Sequence, residues 1–266
     1  MTPISLTSAD DPRIAAFRDV RERDLTGREG LFIAEGEVVL NVLTSAWSRC
    51  RARAVLLADK RLAKLEPVLS RLEADVPVYT APQEVLDGIA GFHLHRGILA
   101  LGEKPAPLDA DAFLATRPER SVLVGAVGIG NADNMGGIFR NAAALWACGV
   151  MIDPGCCDPF YRKAIRVSVG AVLRTPLMAG LSALTMVEQA EAYGYVPLAL
   201  TPGDGPDLLE LEPPARSLVL LGAEGPGLSP EVLARARPVR IPMASGFDSL
   251  NVAATSAIVL HHLTRR

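Results

Sequence analysis

The chain has 266 residues, of which 49% are hydrophobic and 21% are charged, a composition typical of a well-packed globular protein and not of a disordered chain. Its formal net charge of −3 lacks the basic excess of a nonspecific nucleic-acid binder, so any contact with RNA must come from local patches. The sequence contains neither an apolar run of the roughly 18 residues that cross a bilayer nor the basic and apolar start of a secretory signal. These features predict a cytoplasmic protein without a membrane partner.

Short strands alternate with helices over the first hundred residues. Strands are predicted at 31–34, 54–58, 76–79 and 97–101. Helices are predicted at 13–24, after Gly36 with Val38, Val39, Val42 and Leu43 as the apolar face, at 60–74 and at 82–89. Such alternation builds an open α/β sheet. We expect a small α/β domain over residues 1–104, followed by a proline-bearing linker over 105–118.

A second α/β domain is predicted over residues 119–266. Strands are expected at 121–127, 150–153, 195–200, 217–221 and 239–242. Helices are expected at 137–147, 159–166, 182–193, 230–236 and 250–263. Three strand–helix junctions of this domain are rich in glycine or polar residues, and they are the candidates for a functional site.

The first junction is the glycine-rich stretch 128–137. Its glycines permit a ligand to approach the backbone closely, but their spacing does not match the Gly-x-Gly-x-x-Gly pattern of dinucleotide binders. Asn134 is expected just before the helix and Arg140 about one turn into it, with its side chain leaning back towards the helix N-terminus. The two side chains are therefore expected to converge on a phosphate or a ribose. The alternative is a loop with a surface arginine.

The second junction, at 220–229, places Gly222, Gly225 and Gly227 around Glu224. An acidic residue among glycines at the end of a buried strand suits ligand binding better than packing. Glu224 can accept hydrogen bonds from a ribose or from an arginine. The alternative is a bare turn that leads to the next helix.

The third junction, at 241–255, is predicted as a short strand, a polar loop and a helix whose first turn carries Ser249 and Asn251. Backbone N–H groups at the start of a helix point outward and can hold polar or anionic ligand atoms. Taken alone, this junction is equally consistent with an ordinary capped helix.

No metal site is predicted. The four cysteines match no Cys-x-x-Cys redox or zinc spacing. His93 and His95 are expected on one side of a strand, but they have no carboxylate or cysteine partner at ligand spacing. The adjacent Cys156 and Cys157 are expected to be ordinary thiols.

Two groups of arginines leave an alternative open. Arg49, Arg51 and Arg53 alternate along a predicted strand, and further arginines crowd residues 13–28, where acidic residues are interleaved. Both groups are either local RNA-binding patches or solvated faces.

Together and in this order, the three junctions resemble the motifs of the SpoU (TrmH-type) RNA 2′-O-ribose methyltransferases of the SPOUT superfamily. The matching residues are Asn134, Gly136 and Arg140 for the first motif, the Gly-x-Glu-Gly-x-Gly turn at 222–227 for the second, and Ile-Pro-Met at 241–243 with Ser-Leu-Asn at 249–251 for the third. Residues 163–170 are similar to the family's Arg-x-Ser-x-Gly segment. One departure is the Asn-Ala at 131–132, near which many members carry Asp-Pro.

The resemblance implies an α/β fold with a C-terminal α/β-knot methyltransferase domain, in which the C-terminal segment threads a loop to form a deep trefoil knot. A small α/β RNA-binding domain would precede it. The resemblance also implies S-adenosylmethionine as cofactor and an obligate homodimer, in which Arg140 reaches towards a site shared between subunits. The residues implied in cofactor binding are Gly222, Glu224, Gly225, Gly227, Ile241, Met243, Ser249, Leu250 and Asn251.

The implied reaction is attack of a ribose 2′-hydroxyl on the methyl group of S-adenosylmethionine, with rRNA a better fit than tRNA to an N-terminal RNA-binding domain. No histidine or cysteine falls inside the motifs, and a guanidinium is a poor base because it stays protonated in proteins. We expect Arg140 to bind the substrate phosphate and polarise the hydroxyl, and Asn134 to position the ribose. Glu224 and Ser249 are expected to organise the pocket, and Asn251 to serve the pocket or the attacking group.

Two alternatives stand beside this hypothesis. One is a knotted RNA-binding or assembly factor without catalysis, which the polar residues at every motif position argue against. The other is an α/β domain for a different nucleotide, which predicts binding of ATP or NAD in place of S-adenosylmethionine.

Overall fold

The computed structural model describes residues 2–18, 22–90, 97–115, 117–203, 205–247 and 249–265. The chain divides into two compact units. The first contains residues 1–105 and 158–174, and the second contains residues 106–157 and 175–266. Residues 158–174 therefore pack with the first unit, although they lie inside the range 119–266 that the sequence assigns to one domain.

The strands are Ile4–Ser5 (β1), Leu31–Glu35 (β2), Arg51–Ala58 (β3), Val78–Ala81 (β4), Ile98–Glu103 (β5), Ser121–Ala126 (β6), Gly149–Ile152 (β7), Leu177–Ala179 (β8), Val196–Leu200 (β9), Arg216–Leu221 (β10) and Arg237–Val239 (β11). The α-helices are Glu22–Arg28 (α1), Glu37–Leu43 (α2), Leu62–Leu69 (α3), Gln83–Ala90 (α4), Ala110–Leu114 (α5), Ala132–Ala144 (α6), Arg162–Val167 (α7), Ala183–Ala192 (α8), Pro230–Arg235 (α9) and Val252–Leu263 (α10).

The first unit is built on a mixed five-stranded sheet in the order β1-β4-β3-β5-β2. Strand β5 runs antiparallel to both β3 and β2, and β3 and β4 are parallel. Its core includes Leu56 and Leu86, both fully buried. Residues 158–174, the returning segment, add Phe160 and Arg162 to this unit. The ring centroid of Phe160 lies 5.3 Å from that of Phe32. The Nε of Arg162, at the start of α7, donates to Glu35 at 2.9 Å.

Two predictions for this unit are wrong in detail. The helix predicted at 13–24 is a 3-10 helix over Pro12–Phe17, which ends because Arg18 is extended, and a separate helix α1; residues 19–21 lie outside the described range. In α2 the buried side chains are Val39, Leu40 and Leu43. Val38, which was expected on the apolar face, is 51% exposed.

The second unit is built on a six-stranded sheet in the order β11-β9-β10-β6-β7-β8, with every described strand pair parallel. A parallel sheet is covered on both faces, and its strands are accordingly rich in buried Val, Leu and Ile. Neighbouring strands of such a sheet end at the same edge, where ligands usually bind.

Helices α6 and α10 of this unit pack against each other at close range. A Cβ atom built on Gly137 would lie 2.6 Å from the Cβ of Ala253, so only glycine fits at this crossing. The Asn141 side chain strengthens the contact, since its Nδ2 donates to the carbonyl of Ala253 at 2.7 Å and to Ser256 Oγ at 2.9 Å.

The predicted starts of both helices need correction. Helix α6 begins at Ala132 and not at residue 137, because Asn131 accepts hydrogen bonds from the N–H groups of Asp133 and Asn134 and caps it there. Helix α10 begins at Val252, so Ser249 and Asn251 precede the first turn, and Asn251 is its N-cap. Strand β11 ends at Val239, before the predicted strand end at 242.

The described residues contain no helix long and apolar enough to span a membrane. They also contain no group of three or more His, Cys, Asp or Glu side chains placed to hold a metal ion. His93 and His95 lie outside the described residues.

Candidate active site

A cleft of about 450 Å³ lies in the second unit, at the carboxyl ends of β9 and β10. This volume is in the range of small-molecule sites. Its walls are Leu200, Thr201 and Pro202 after β9, Leu221 to Gly225 and Gly227 after β10, and Ile241, Met243, Ser249, Leu250, Asn251, Val252 and Thr255 from the C-terminal segment. Every residue that the sequence implied in cofactor binding lines this cleft.

The wall formed by residues 200–202 was missed by the sequence analysis. These residues follow β9, which pairs in parallel with β10. Because parallel neighbours end at the same edge of a sheet, the order of the strands would have indicated this wall. That order is a tertiary property which the motifs do not encode.

The turn after β10 is a backbone surface that only glycine permits. A Cβ atom on Gly222 would lie 2.6 Å from the carbonyl carbon of Gly227, and Gly225 has a φ of 90°, in the left-handed region that favours glycine. The N–H of Gly227 donates to the carbonyl of Ala223 at 3.0 Å and closes the turn. At these glycines a ligand in the cleft can therefore approach the main chain closely.

Three polar side chains from the three junctions form one hydrogen-bonded chain. Asn134 Nδ2 donates to Glu224 Oε1 at 2.6 Å, and Asn251 Nδ2 donates to Asn134 Oδ1 at 2.8 Å. Asn251 Oδ1 in turn accepts from the N–H groups of Ala253 and Ala254 at 2.9 and 3.2 Å. The junctions are thus joined into a single unit.

The donor and acceptor roles in this series of hydrogen bonds are set by the groups at its two ends. A carboxylate can only accept, so the amide nitrogen of Asn134 must face Glu224. The free N–H groups of α10 can only donate, so the oxygen of Asn251 must face them. Each end therefore dictates the same orientation for the middle contact, in which Asn251 donates to Asn134.

Asn134 is the junction of this network. It is 6% exposed, and its two amide atoms are engaged by Glu224 and Asn251. Asn134 does not itself line the cleft, and its role in positioning a ribose stays a prediction. Glu224 is exposed at the rim, and no described residue donates to its second carboxylate oxygen.

Arg140 lies away from this network. Six residues at 3.6 per turn rotate it by about 120° from Asn134 around α6, and its side chain is exposed. It does not line the cleft, and no residue in the described part of the chain pairs with its guanidinium. The expected convergence of Asn134 and Arg140 does not occur within one chain.

The first junction is held by a turn at residues 153–157. Asp153 Oδ1 accepts from the N–H of Gly128 at 2.8 Å. Cys156 Sγ accepts from the N–H of Ile129 and donates to the carbonyl of Ala126, both at 3.3 Å. Burial raises the pKa of the Cys156 thiol to about 12, so the protonated thiol that these bonds need persists at neutral pH. Cys156 is thus an anchor of the loop.

Known proteins match this chain over most of its length. The model of the SpoU rRNA Methylase family matches residues 121–261. The chain is 38% identical over 266 residues to an uncharacterized tRNA/rRNA methyltransferase of Mycobacterium tuberculosis, with 96% of this chain and 90% of that protein covered.

Solved structures show the same fold. An AdoMet-bound rRNA methyltransferase from Sinorhizobium meliloti superposes with a TM-score of 0.81 at 22% identity, covering 97% of this chain and 96% of that chain. An RNA 2′-O ribose methyltransferase superposes with a TM-score of 0.76 at 24% identity, covering 98% of both chains.

Proposed function

The chain belongs to the SpoU rRNA methylase family, and on this basis we propose that it transfers a methyl group from S-adenosylmethionine to a ribose 2′-hydroxyl of structured RNA. The observation that carries the proposal is the chain Glu224–Asn134–Asn251, which joins all three motif junctions at the rim of one cleft. Support for the ribose as acceptor comes from the ordered motifs and from the name of one structural relative, an RNA 2′-O ribose methyltransferase.

The cleft fits S-adenosylmethionine in shape and chemistry. The glycine turn after β10 offers a main-chain wall, and Ile241, Met243 and Leu250 offer an apolar one, a combination suited to a nucleoside with a polar edge. When bound, the cofactor supplies a methyl group on a positively charged sulfur, which a hydroxyl oxygen can attack.

The residues of the chain then orient and polarise the nucleophile. Transfer of the methyl group that the cofactor supplies would release the hydroxyl proton to solvent. We assign to the second oxygen of Glu224 a hydrogen bond from a hydroxyl that reaches the rim, with Asn134 holding the carboxylate in place. Such prior positioning lowers the barrier by removing orientational freedom before the reaction.

Arg140 is proposed to act in the site of a partner subunit. It is an exposed cation on α6, and the neighbouring α10 carries Ile258 at 42% exposure; we propose the exposed surface of this helix pair as the dimer contact. In a homodimer through this surface, Arg140 would bind the phosphate next to the target ribose.

Further parts of the proposal concern topology and substrate. We propose that residues 241–251 pass through a loop of the second unit and form the trefoil knot; the close packing of α10 on α6 supports a fixed path for this segment. We also propose that the first unit binds RNA, that rRNA is preferred to tRNA, and that the enzyme acts in the cytoplasm, where both RNA and cofactor are found.

Alkaline hydrolysis tests the proposed acceptor. The protein is incubated with S-adenosylmethionine labelled in its methyl group and with rRNA or tRNA from cells that lack it. A 2′-O-methyl group blocks cleavage of the adjacent phosphodiester, so the label should appear in alkali-resistant dinucleotides of rRNA. Label in mononucleotides would refute the ribose 2′-hydroxyl as the methyl acceptor. Label in tRNA alone would refute the preference for rRNA.

Mixing two inactive variants tests the shared site. Light scattering should first give twice the 28.2 kDa of one chain. Arg140→Ala and Glu224→Ala dimers, unfolded and refolded together, should then regain about a quarter of the wild-type activity, because half of random dimers are mixed and each has one intact site. If the mixture stays inactive, Arg140 acts within its own chain.

A further inference from the structure

Trp47 is the most exposed aromatic side chain with no partner in the described part of the first unit. It follows α2 and is 76% exposed, without a ring contact or hydrogen bond to any described residue. A tryptophan side chain can bury 150–250 Å² of surface and is enriched where one molecule contacts another. Its position in solvent leaves the indole ring available for contact with a ligand.

The arginines that follow Trp47 differ in their availability. Arg51 pairs with Glu73 at 2.5 Å and with Asp75 at 3.0 Å. Arg53 pairs with Glu103 at 2.8 Å. Arg49 is exposed and pairs with no described acid. Among these three arginines, Arg49 alone has no acidic partner within the described residues, and an RNA-binding role for the two arginine groups stays a prediction.

A second free cation is brought to the same place by the returning segment of the first unit. The N–H of Arg49 donates to the carbonyl of Leu173 at 2.9 Å, which places Arg174 next to Arg49. Arg174 is also exposed and has no acidic partner among the described residues. The main chains of Arg49 and Arg174 therefore lie side by side, and Trp47 precedes Arg49 by two residues.

We propose that Trp47, Arg49 and Arg174 form a contact site for single-stranded RNA, with the indole stacked on one base and the guanidinium groups against the flanking phosphates. This site rests on the proposed function, since it gives the first unit a defined way to hold the substrate. Stacking on aromatic side chains combined with cations along the backbone is how proteins bind single strands without reading sequence. The two unpaired positive charges favour RNA over a protein partner. The site also explains how an overall acidic chain can bind RNA through a local patch.

Fluorescence anisotropy on the full chain tests the site with a labelled 20-nucleotide oligouridine as the probe. Trp47→Ala should weaken binding about tenfold, the loss expected for one base stack, and Trp47→Phe should restore most of it. Arg49→Ala and Arg174→Ala should each weaken binding several-fold and reduce the salt dependence by about 0.7 in the log–log slope. Arg51→Ala is the matched control, because it removes the same charge two residues further along the chain, where that charge is already paired, and its effect should be small.

Clear outcomes would overturn the proposal. Wild-type affinity in Trp47→Ala refutes the stack, and equal effects of Arg49→Ala and Arg51→Ala refute a local site in favour of net charge alone. Binding that is insensitive to salt points to a protein partner instead. Calorimetry with S-adenosylmethionine on the same variants separates this test from the proposed function: the variants should bind cofactor as the wild type does, and failure of the wild type to bind cofactor refutes the function while leaving the anisotropy result interpretable.

Discussion

Two segments next to the active-site cleft are held in opposite ways. The anchored loop, residues 127–134, is fixed by Asp153 and Cys156 from a neighbouring turn, and Ile129 within it is buried at 3% exposure. The open segment, the described part of residues 241–250, is half-buried only at Ile241 and Met243 and otherwise exposed. The open segment is tied at its end, where Asn251 donates to Asn134 and caps α10.

The contrast indicates a division of labour. The anchored loop is ordered before any ligand arrives, and its buried bonds keep Asn134 and hence Glu224 in place. The open segment has few buried apolar contacts, which is typical of regions with low local stability. One segment therefore fixes the geometry of the polar network, and the other forms an exposed wall of the cleft.

The largest effect is expected from Asn134→Asp, which breaks the hydrogen bond between the anchored loop and Glu224 while leaving Asn251 an acceptor. It keeps the shape of the side chain but sets a second carboxylate against Glu224, at the 2.6 Å contact that now holds a hydrogen bond. We expect methyl transfer to fall by about a hundredfold or more, since a donor is replaced by a like charge.

Kinetics against pH check this result. Like charges raise the pKa of a carboxyl pair, so the variant should recover relative to the wild type as the pH falls and one carboxyl binds the proton that restores the bond. Asn134→Ala is the control for simple loss of the amide and should show no such recovery. Equal pH profiles for the two variants would contradict the proposed orientation of the network.

A smaller effect, on thermal stability, is expected from Gly137→Ala. The added methyl group should push α10, and with it the end of the open segment, away from α6. The added Cβ would meet the Cβ of Ala253 at 2.6 Å, and both atoms are fixed to helix backbones. Overpacking of this kind costs about 1–3 kcal/mol, against a gain of about 1 kcal/mol from the better helix propensity of alanine.

Thermal unfolding measures the balance. Since 1 kcal/mol corresponds to about 2–4 °C in Tm for a domain of this size, we expect a lower Tm for the variant. Gly130→Ala, whose Cβ would meet nothing within 4 Å, should leave the Tm nearly unchanged. A Gly137→Ala variant as stable as the wild type would show that α10 can shift without loss.

The smallest effect, on the free energy of unfolding, is expected from Cys156→Ala, which removes one of the two side chains that hold the anchored loop. It leaves the N–H of Ile129 without its acceptor and should cost about 1 kcal/mol at neutral pH. Hydrogen exchange at residues 127–131 should rise towards the rates of residues 243–247.

The free-energy cost of Cys156→Ala should become smaller as the pH rises. The folded state raises the pKa of Cys156 from 9.0 to about 12, so the thiol contributes stability that is fully present below about pH 9 and is lost as the pH rises towards 12. The difference in urea midpoint between wild type and variant should therefore narrow from about pH 8 to about pH 10.5. Burial also raises the pKa of Cys50 to about 12. This thiol titrates in both proteins, so its contribution cancels in the difference between them. A constant difference would show that the thiol does not anchor the loop as a donor.

The sequence located most strands of both sheets but misjudged elements that depend on tertiary contacts. It missed the two- and three-residue strands β1 and β8 and the five-residue helix α5, which are too short to show periodicity. It also left Gly136 outside the helix and started the helix only at Gly137, because glycine is a poor helix former. The structure includes both in α6, and the close crossing with α10 requires a residue without a side chain at Gly137.

By itself, the sequence identified two of the three walls of the cleft, because a glycine turn and a capped helix start are local features that short motifs encode. It also determined the family through the order of those motifs. Only the tertiary structure decided what the residues do: it buried Asn134 between Glu224 and Asn251, left Arg140 in solvent, added the wall after β9, and left Arg49 without the acids that pair Arg51 and Arg53. These outcomes depend on which distant segments meet, and a hydrogen bond or a free charge exists only once the partner's position is set.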